Sequence, residues 1–505
     1  MVGSGAGPIP ASPARAGAYA GGVDLDPDAC YLALRTRDAR FDGRFFTAVR
    51  STGVFCRPVC PARTPKRENC LFVPCAAAAR ELGFRPCLRC RPEASPGTPA
   101  WLGTSATVSR ALRLIADGAL DQGHVDDLAA RLGIGERHLR RLFLTHLGAS
   151  PQAVAQTRRL LFAKQLLDET ALPVSQVAFA AGFSSIRRFN AAVRETWAVT
   201  PSELRRRPRS VRTSSSGIGL RLAYRPPLDW QGLLAFLAAR AIPGVESIHG
   251  DRYYRSLRVG DAIGVVEVRD DSAQNALRAE VRLSRPSPLI GVSVRLRRIF
   301  DCGADPRVIA EHLGDDPDLA ERLEAAPGVR LPGAWDGFEL AARAILGQQV
   351  SVAAATCLAG RLVEAYGEPL ALDALPPGVA HSFPTPEALC EADAGRLGIP
   401  RARATAVREL ARAVARGELA LDAASGLEES TRKLAALPGV GDWTAQYIAM
   451  RALGEPDACP TSDLGLRRAL GAAGELASAR EVAERAEAWR PWRGYAAVLL
   501  WSTPH

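Results

Sequence analysis

The sequence predicts a multidomain chain: a small cysteine-rich unit, an all-α unit, a strand-rich unit and a helical C-terminal unit. Three observations carry this. A chain of 505 residues exceeds a single hydrophobic core and suits about three or four domains. Two stretches read as linkers: "RPEASPGTPAWLGTSAT", rich in Pro, Gly, Ser and Thr, and "RRRPRSVRTSSSGIG", an Arg cluster running into Ser and Gly. The hydrophobic period also changes within the second half. "SLRVGDAIGVVEVRD" and "ALRAEVRLS" alternate as strands do, whereas after about Pro306 long Ala/Leu/Arg segments follow the helical period. The expected organisation is a disordered leader over 1–22, a domain over 23–94, a linker over 95–106, a domain over 107–208, a linker over 209–218, and a C-terminal half divided into 219–305 and 306–505.

The net charge of +10 favours a polyanionic partner. Of the 64 basic residues only Lys66, Lys164 and Lys433 are lysines, so amine chemistry has few candidates. A GC-rich coding sequence is the ordinary source of such a bias. The eleven cysteines are spread too thinly for a secreted disulfide scaffold. The start, "MVGSGAGPIPASPARAGAYAGG", lacks the basic stretch and apolar core of a signal peptide. No apolar run approaches membrane-spanning length. A reducing cytoplasm and no membrane partner are expected.

In the first unit, Cys56 and Cys60 are separated by three residues, and Cys87 and Cys90 by two. Two close pairs bridged by a loop have the spacing of a structural Zn²⁺ site. None of the seven histidines lies in this segment, so no imidazole competes. Cys70 and Cys75 read as packing thiols. Arg50, Arg57, Arg63, Lys66 and Arg67 crowd the first pair and would face phosphate. The stretch "FFTAVRSTGVFCRPVCPARTPKRENCLF…GFRPCLRCRPE" resembles the N-terminal domain of the Ada regulators of the bacterial alkylation response, over about fifty residues with all four cysteines in register. The resemblance implies that Cys56 accepts a methyl group from a methylphosphotriester in DNA while Cys60, Cys87 and Cys90 complete the metal site. Zn²⁺ keeps its thiol ligands deprotonated at neutral pH. Four thiolates on Zn²⁺ carry a net charge near −2, which repels phosphate. Methylation removes one negative charge and should raise DNA affinity.

The middle unit repeats one grammar twice. "VDDLAARLGIGERHLRRLFLTHL" and "VSQVAFAAGFSSIRRFNAAVRETW" each read as an apolar helix, a Gly-containing turn and a second, basic helix. One copy alone would be an ordinary helical hairpin. Two copies about fifty residues apart, followed by "VTPSELRR", resemble the AraC-type DNA-binding domain over roughly Val108 to Arg207. The resemblance implies two recognition helices, with Arg137, His138, Arg140 and Arg141 on the first. Ser184, Ser185, Arg187, Arg188 and Asn190 are expected on the second. A solvated helix face would look the same.

In the C-terminal half, "LPGVG" is a helix-hairpin-helix signal in which Gly439 and Gly441 would let the chain approach a DNA phosphate. Asp463, in "CPTSDLGLRRAL", reads by itself as a helix N-cap. Its wider context points further. "PPLDWQGLLAFLAARAIPGVE", "LPGAWDGFELAARAILGQQVSVAAA", "LPGVGDWTAQYIAMRALG" and "WRPWRGYAAVLLW" together resemble the AlkA 3-methyladenine DNA glycosylases, from about Gly219 to Trp501. The resemblance implies that Asp463 is the catalytic carboxylate. It also implies a base pocket made by Phe236, Trp443, Tyr447, Trp501 and Gln348. Aromatic walls suit an electron-poor base. Each could equally be core. Two departures, Leu464 after the aspartate and Gln349 after Gln348, predict a more open pocket. Related lyases place a lysine where this chain has Trp443, so a monofunctional enzyme is expected.

The resemblances complete the fold class: a small α+β zinc domain, an all-α double helix-turn-helix domain, and an α+β antiparallel-sheet domain followed by an all-α helix-hairpin-helix glycosylase domain. They imply Zn²⁺ as cofactor, and alkylated duplex DNA, a promoter operator and RNA polymerase as partners of a monomer. The alternative is a methyl-responsive transcription factor whose C-terminal half binds DNA without catalysis. The Pro-Cys-His-Arg motif of O6-alkylguanine transferases is absent.

Overall fold

A computed structural model of the chain describes residues 25–96, 106–205, 217–285, 288–422, 424–471 and 475–502. The expected leader over 1–22 lies outside the described residues, as does most of both linkers. The described residues fall into two compact units, one built from residues 25–205 with 223–225 and 288–291, the other from the rest of residues 217–502.

The first unit opens with α1 (Pro27–Thr36), started by the Asp26 carboxylate and by Pro27 at its first position. A four-stranded sheet follows, with β1 (Phe46–Val49), β2 (Val54–Cys56), β3 (Cys70–Val73), the short helix α2 (Ala76–Glu81) and β4 (Arg85–Pro86). The strand order is β3-β1-β2-β4, antiparallel except for the parallel pairing of β2 with β4. Six helices then form the double repeat: α3 (Ala106–Ala116), α4 (Val125–Arg131), α5 (Glu136–Leu147), α6 (Pro151–Glu169), α7 (Val174–Ala180) and α8 (Ile186–Trp197). The short α9 (Pro201–Leu204) closes the unit with a capping box between Thr200 and Glu203. Helix α6 joins the two repeats and is also the seat of the cysteine domain. Arg80 on α2 donates to Thr157 at 2.9 Å, and Arg91 pairs with Glu169 at 3.1 Å. Lys164, 3 % exposed, lies 3.7 Å from the buried Glu93 and also bonds Asp168. One of the three lysines is thus spent on a buried ion network, where an unpaired carboxylate would be costly.

The second unit begins with β5 (Ile218–Ala223) and α10 (Trp230–Ala238), followed by β6 (Glu246–His249), β7 (Arg252–Val259), β8 (Ala262–Asp271) and β9 (Ala276–Leu283). The sheet order is β5-β9-β8-β7-β6, with β6 to β9 an antiparallel meander. Helices take over at α11 (Leu289–Ile299), earlier than the expected change at 306. They continue as α12 (Pro306–Leu313), α13 (Pro317–Ala325), α14 (Gly337–Leu346) and α15 (Val352–Tyr366). After a two-residue β pair and two single-turn helices come α16 (Arg401–Ala415), α17 (Leu427–Ala435) and α18 (Asp442–Arg451). The last three are α19 (Leu464–Ala469), α20 (Ala479–Ala486) and α21 (Arg493–Ser502). Helix α14, almost wholly buried, packs against α15, α16 and α18 and forms the core of this part. A buried ion cluster fastens it to the sheet: Arg255 bonds Glu339 at 2.8 Å and Glu246 at 3.2 Å, and Arg343 reaches Glu246 at 3.4 Å.

The two repeats of the helical domain end differently. Helix α5 stops at Gly148 with φ +64°, whereas α8 stops at Ala198 with φ +58°. A left-handed alanine costs about 1 kcal/mol that glycine avoids. Ala198→Gly should therefore stabilise the protein by about 0.5 kcal/mol, since the more flexible unfolded chain offsets part of the gain. Denaturant unfolding of the two proteins checks this.

Candidate functional site

Two sites take shape, one in each unit. In the first, the parallel pairing that sets Phe55 opposite Pro86 brings Cys56, ending β2, beside Cys87, just past β4. The four sulfurs of Cys56, Cys60, Cys87 and Cys90 lie within 4.8 Å of one another, and all four residues are buried. A tetrahedral thiolate site with metal–sulfur bonds of about 2.3 Å sets its sulfurs about 3.8 Å apart, so this cluster fits a metal ion. Four thiols this close cannot all ionise without a cation among them. The Arg57 backbone N–H donates to Cys90 Sγ at 3.3 Å. Cys70 and Cys75 stand apart, each donating to a backbone carbonyl.

A groove of about 720 Å³ runs past the cluster, with Cys56, Cys60 and Cys87 in its wall. Arg63 and Lys66 line it as expected, together with Arg85 and Arg89, which the sequence did not single out. Two expectations need correction. Arg57 does not face the groove: its Nε donates to Asp42 at 2.9 Å and its Nη1 to the Cys90 carbonyl at 3.1 Å. Asp42 is itself buried and requires a counter-charge. Arg67 also lies off the groove wall. Its guanidinium sits 5.4 Å from the Phe72 ring and 6.0 Å from the Tyr31 ring, near Asp28.

On the helical domain, Arg137, His138, Arg140 and Arg141 are exposed on α5, opposite its buried Leu139, Phe143 and Leu147. Arg140 pairs with Glu136 at 2.6 Å, a bond that DNA would have to replace. Arg187 and Arg188 are exposed in the first turn of α8. Ser184 and Ser185, expected on that helix, instead precede it. Ser185 is the N-cap, accepting from the Arg188 N–H at 3.2 Å.

The second site is a cavity of about 270 Å³ lined by Trp443, Tyr447, Asp463, Trp501, Arg240 and Arg343, among others. Asp463 is the N-cap of α19, its Oδ1 accepting from the Leu466 N–H at 3.0 Å. The same oxygen accepts from Trp501 Nε1 at 2.9 Å, and Oδ2 accepts from Trp443 Nε1 at 2.9 Å. Cap and cavity group are therefore one residue. Trp443 stacks on Tyr447 with centroids 5.2 Å apart and planes 7° apart. Gly465, unremarked in the sequence, makes this closeness possible: a Cβ there would lie 3.0 Å from Asp463 Oδ1 and 3.1 Å from Trp501 Cδ1.

Two expected pocket residues lie elsewhere. Phe236 is 8 % exposed and sits behind the cavity, covered by the Arg240 guanidinium at 3.8 Å and by Arg451 at 4.9 Å. The ring also lies 6.4 Å from that of Trp501, which does line the cavity. Gln348 does not line the cavity either. Its Nε2 donates to the Gly439 carbonyl at 2.7 Å and to Thr444 Oγ1 at 3.0 Å, bracing the turn between α17 and α18. In that turn Gly439 has φ +79°, and a Cβ would lie 2.9 Å from Ala406 Cβ. Gly441 starts α18, and a Cβ there would meet nothing within 4 Å, which leaves room for a ligand backbone. Val350 and Val352, which line the cavity, are exposed; Leu464, between the lining residues Asp463 and Gly465, is exposed too, and Gln349 has φ +56°.

Tyr447 carries the strongest electrostatic signature here. Burial would raise its pKa, but Arg451, Arg240 and Arg343 outweigh burial and lower it to about 8. Arg451 Nη1 donates to the phenol oxygen at 2.8 Å. Ultraviolet titration should detect one tyrosinate appearing near pH 8, absent from Tyr447→Phe. The folded value lies below the unfolded value of about 10, so this group adds stability as pH rises from about 8 to 10 and none below.

Four family models match the chain in order: the metal binding domain of Ada over 29–93, a helix-turn-helix domain over 128–207, the AlkA N-terminal domain over 219–336, and the HhH-GPD superfamily base excision DNA repair protein over 342–493. Among the described residues, no helix is long and apolar enough to cross a membrane. The Escherichia coli "DNA-3-methyladenine glycosylase 2" is 37 % identical over 56 % of this chain and 96 % of its own length. The Escherichia coli "Bifunctional transcriptional activator/DNA repair enzyme Ada" is 33 % identical over 36 % of this chain and 49 % of its own. A Mycobacterium tuberculosis protein, "Probable bifunctional transcriptional activator/DNA repair enzyme AlkA", is 46 % identical over 95 % of this chain and 96 % of its own. With similarity running through all four domains, the chain belongs to the family of bifunctional transcriptional activator/DNA repair enzymes of the AlkA type.

Proposed function

We propose that the chain senses and repairs alkylated DNA at two chemically independent sites, and that its C-terminal half is a monofunctional glycosylase releasing N-alkylated purines. The observation that carries the enzymatic reading is the Asp463 carboxylate, fixed by two indole N–H groups at an aromatic cavity beside the hairpin. Alkylation at a ring nitrogen makes the purine cationic and a good leaving group. The flipped nucleotide would stack against Trp443 and Tyr447. As the C1′–N bond breaks, its electron pair leaves with the base and positive charge builds on the sugar. Asp463 would stabilise that charge and orient the water that adds to C1′. The water's second proton passes to solvent. Gly439 and Gly441 would present backbone N–H groups to a phosphate.

In the first unit, Cys56, Cys60, Cys87 and Cys90 would hold Zn²⁺, which when bound keeps the thiols ionised at neutral pH. Cys56 would then attack the methyl carbon of a methylphosphotriester: an S–CH₃ bond forms, the O–CH₃ bond breaks, and the phosphodiester leaves as an anion. Its place in the groove wall beside Arg63, Lys66, Arg85 and Arg89 supports this role, since those cations would grip the flanking phosphates. The transfer is stoichiometric. Arg137, Arg140, Arg141, Arg187 and Arg188 would meet the operator.

Removing Cys87 and Cys90 together, each to alanine, should abolish Zn²⁺ binding by elemental analysis; unchanged Zn²⁺ would refute the four-cysteine site. For the enzyme, Asp463→Asn keeps size and much of the capping but removes the charge. It should bind DNA normally and release alkylated base about a hundredfold more slowly, the scale for losing one preorganised charge. Methyl uptake should survive in that variant. Cys56→Ala should reverse the pattern, losing uptake and keeping excision. One preparation of each, assayed for both reactions, decides; near-normal excision by Asp463→Asn would reduce the carboxylate to a cap.

A further inference from the structure

Excision of a cationic base has no use for a second positive charge, yet the cavity contains one. Arg240, two residues beyond α10, lines it together with Tyr447 and Asp463. Its Nη1 donates to the Phe236 carbonyl at 3.2 Å, and its guanidinium lies 3.8 Å above the Phe236 ring. These contacts fix the group in place. Arg343, the other arginine in the wall, has the carboxylate of Glu246 at 3.4 Å. Among the described residues no carboxylate pairs with Arg240. It faces Tyr447, Arg451 and Arg343; burial lowers its pKa from the ordinary value, the Tyr447 phenol opposes that, and the two arginines add to it. A guanidinium nonetheless stays protonated at any working pH.

A half-buried cation with no carboxylate partner is costly to maintain. It also repels a base that arrives already positive. A neutral base has the opposite need. When its C1′–N bond breaks, the electron pair makes the leaving base an anion, with charge spread onto ring nitrogens and any carbonyl. A fixed guanidinium beside that edge would stabilise the charge as it develops. The anion then takes a proton from water, while hydroxide equivalent to that water is neutralised by the proton lost from the water that adds to C1′. The net step is hydrolysis.

We propose that Arg240 is a specificity-determining residue that extends excision to neutral, carbonyl-bearing bases and restrains excision of cationic ones. This rests on the glycosylase reading above. The experiment uses the full chain and two duplexes, one containing 7-methylguanine and one containing hypoxanthine, with single-turnover rates for the wild type, Arg240→Gln and Arg240→Lys. Arg240→Gln should lose at least about tenfold on hypoxanthine and gain a few-fold on 7-methylguanine, moving the ratio of the two rates by more than about tenfold. Arg240→Lys keeps the charge without the planar fork and should fall between; it decides the matter if the glutamine variant does not fold. An unchanged ratio in both variants overturns the proposal and assigns Arg240 to packing on Phe236. A wild type that releases 7-methylguanine but no hypoxanthine overturns it as well, and leaves the glycosylase reading intact. A wild type that releases neither base overturns both.

Discussion

The C-terminal half is organised around holding one carboxylate fixed at the cavity wall. Asp463 accepts hydrogen bonds from two tryptophans and from the start of its own helix. Trp443 stands at the beginning of α18, and Trp501 near the end of α21. Three helices must therefore converge to within hydrogen-bonding distance of one side chain. The donors that hold it are neutral N–H groups, which add no opposing charge as an arginine would. Gly465 lets the convergence close, and Gln348 braces the turn that leads into α18.

The cysteine domain meets the reverse problem. In the proposed methyl transfer the anionic centre would be the reagent, so the surroundings would have to hold four sulfurs together while leaving one reachable. Pairing β2 with β4 in parallel does the first. The groove does the second, passing three of the four sulfurs. Arg57 is withdrawn from DNA to satisfy Asp42 and the Cys90 carbonyl, so it supports the cluster from behind. Of the cations left in the groove wall, Lys66 has only the exposed Glu68 beside it, at 3.8 Å.

Buried ion pairs recur as fasteners. Lys164, Glu93 and Asp168 tie the cysteine domain to α6, and Arg255, Glu339, Glu246 and Arg343 tie the sheet to α14. Such pairs add little net stability, because desolvation offsets much of the attraction, but a lost partner is costly. They favour one arrangement of the joined parts over others. In the second unit the arrangement matters directly, since Arg343 also reaches the cavity wall.

The sequence by itself determined the domain order, the cysteine cluster, the two helix-turn-helix repeats, the hairpin and the aspartate with its aromatic neighbours Trp443, Tyr447 and Trp501. The cluster, the repeats and the hairpin are legible because spacing along the chain, helical period and turn glycines are local quantities, whereas the aspartate and its aromatic neighbours were implied by the resemblance to the AlkA glycosylases. Only the tertiary structure decided which way the remaining side chains turn. Arg57 meets Asp42, Gln348 meets the Gly439 carbonyl, Phe236 meets Arg240 and Arg451, and Ser185 caps a helix rather than riding on it. Apart from the cap, which turns on where one helix begins, these depend on partners from other elements. Arg240 was within a quoted motif, but nothing local distinguishes a half-buried arginine with no carboxylate partner from the many solvated ones. Which charges find partners is settled only when distant segments pack, because burial, and not residue type, sets what an unpaired charge costs.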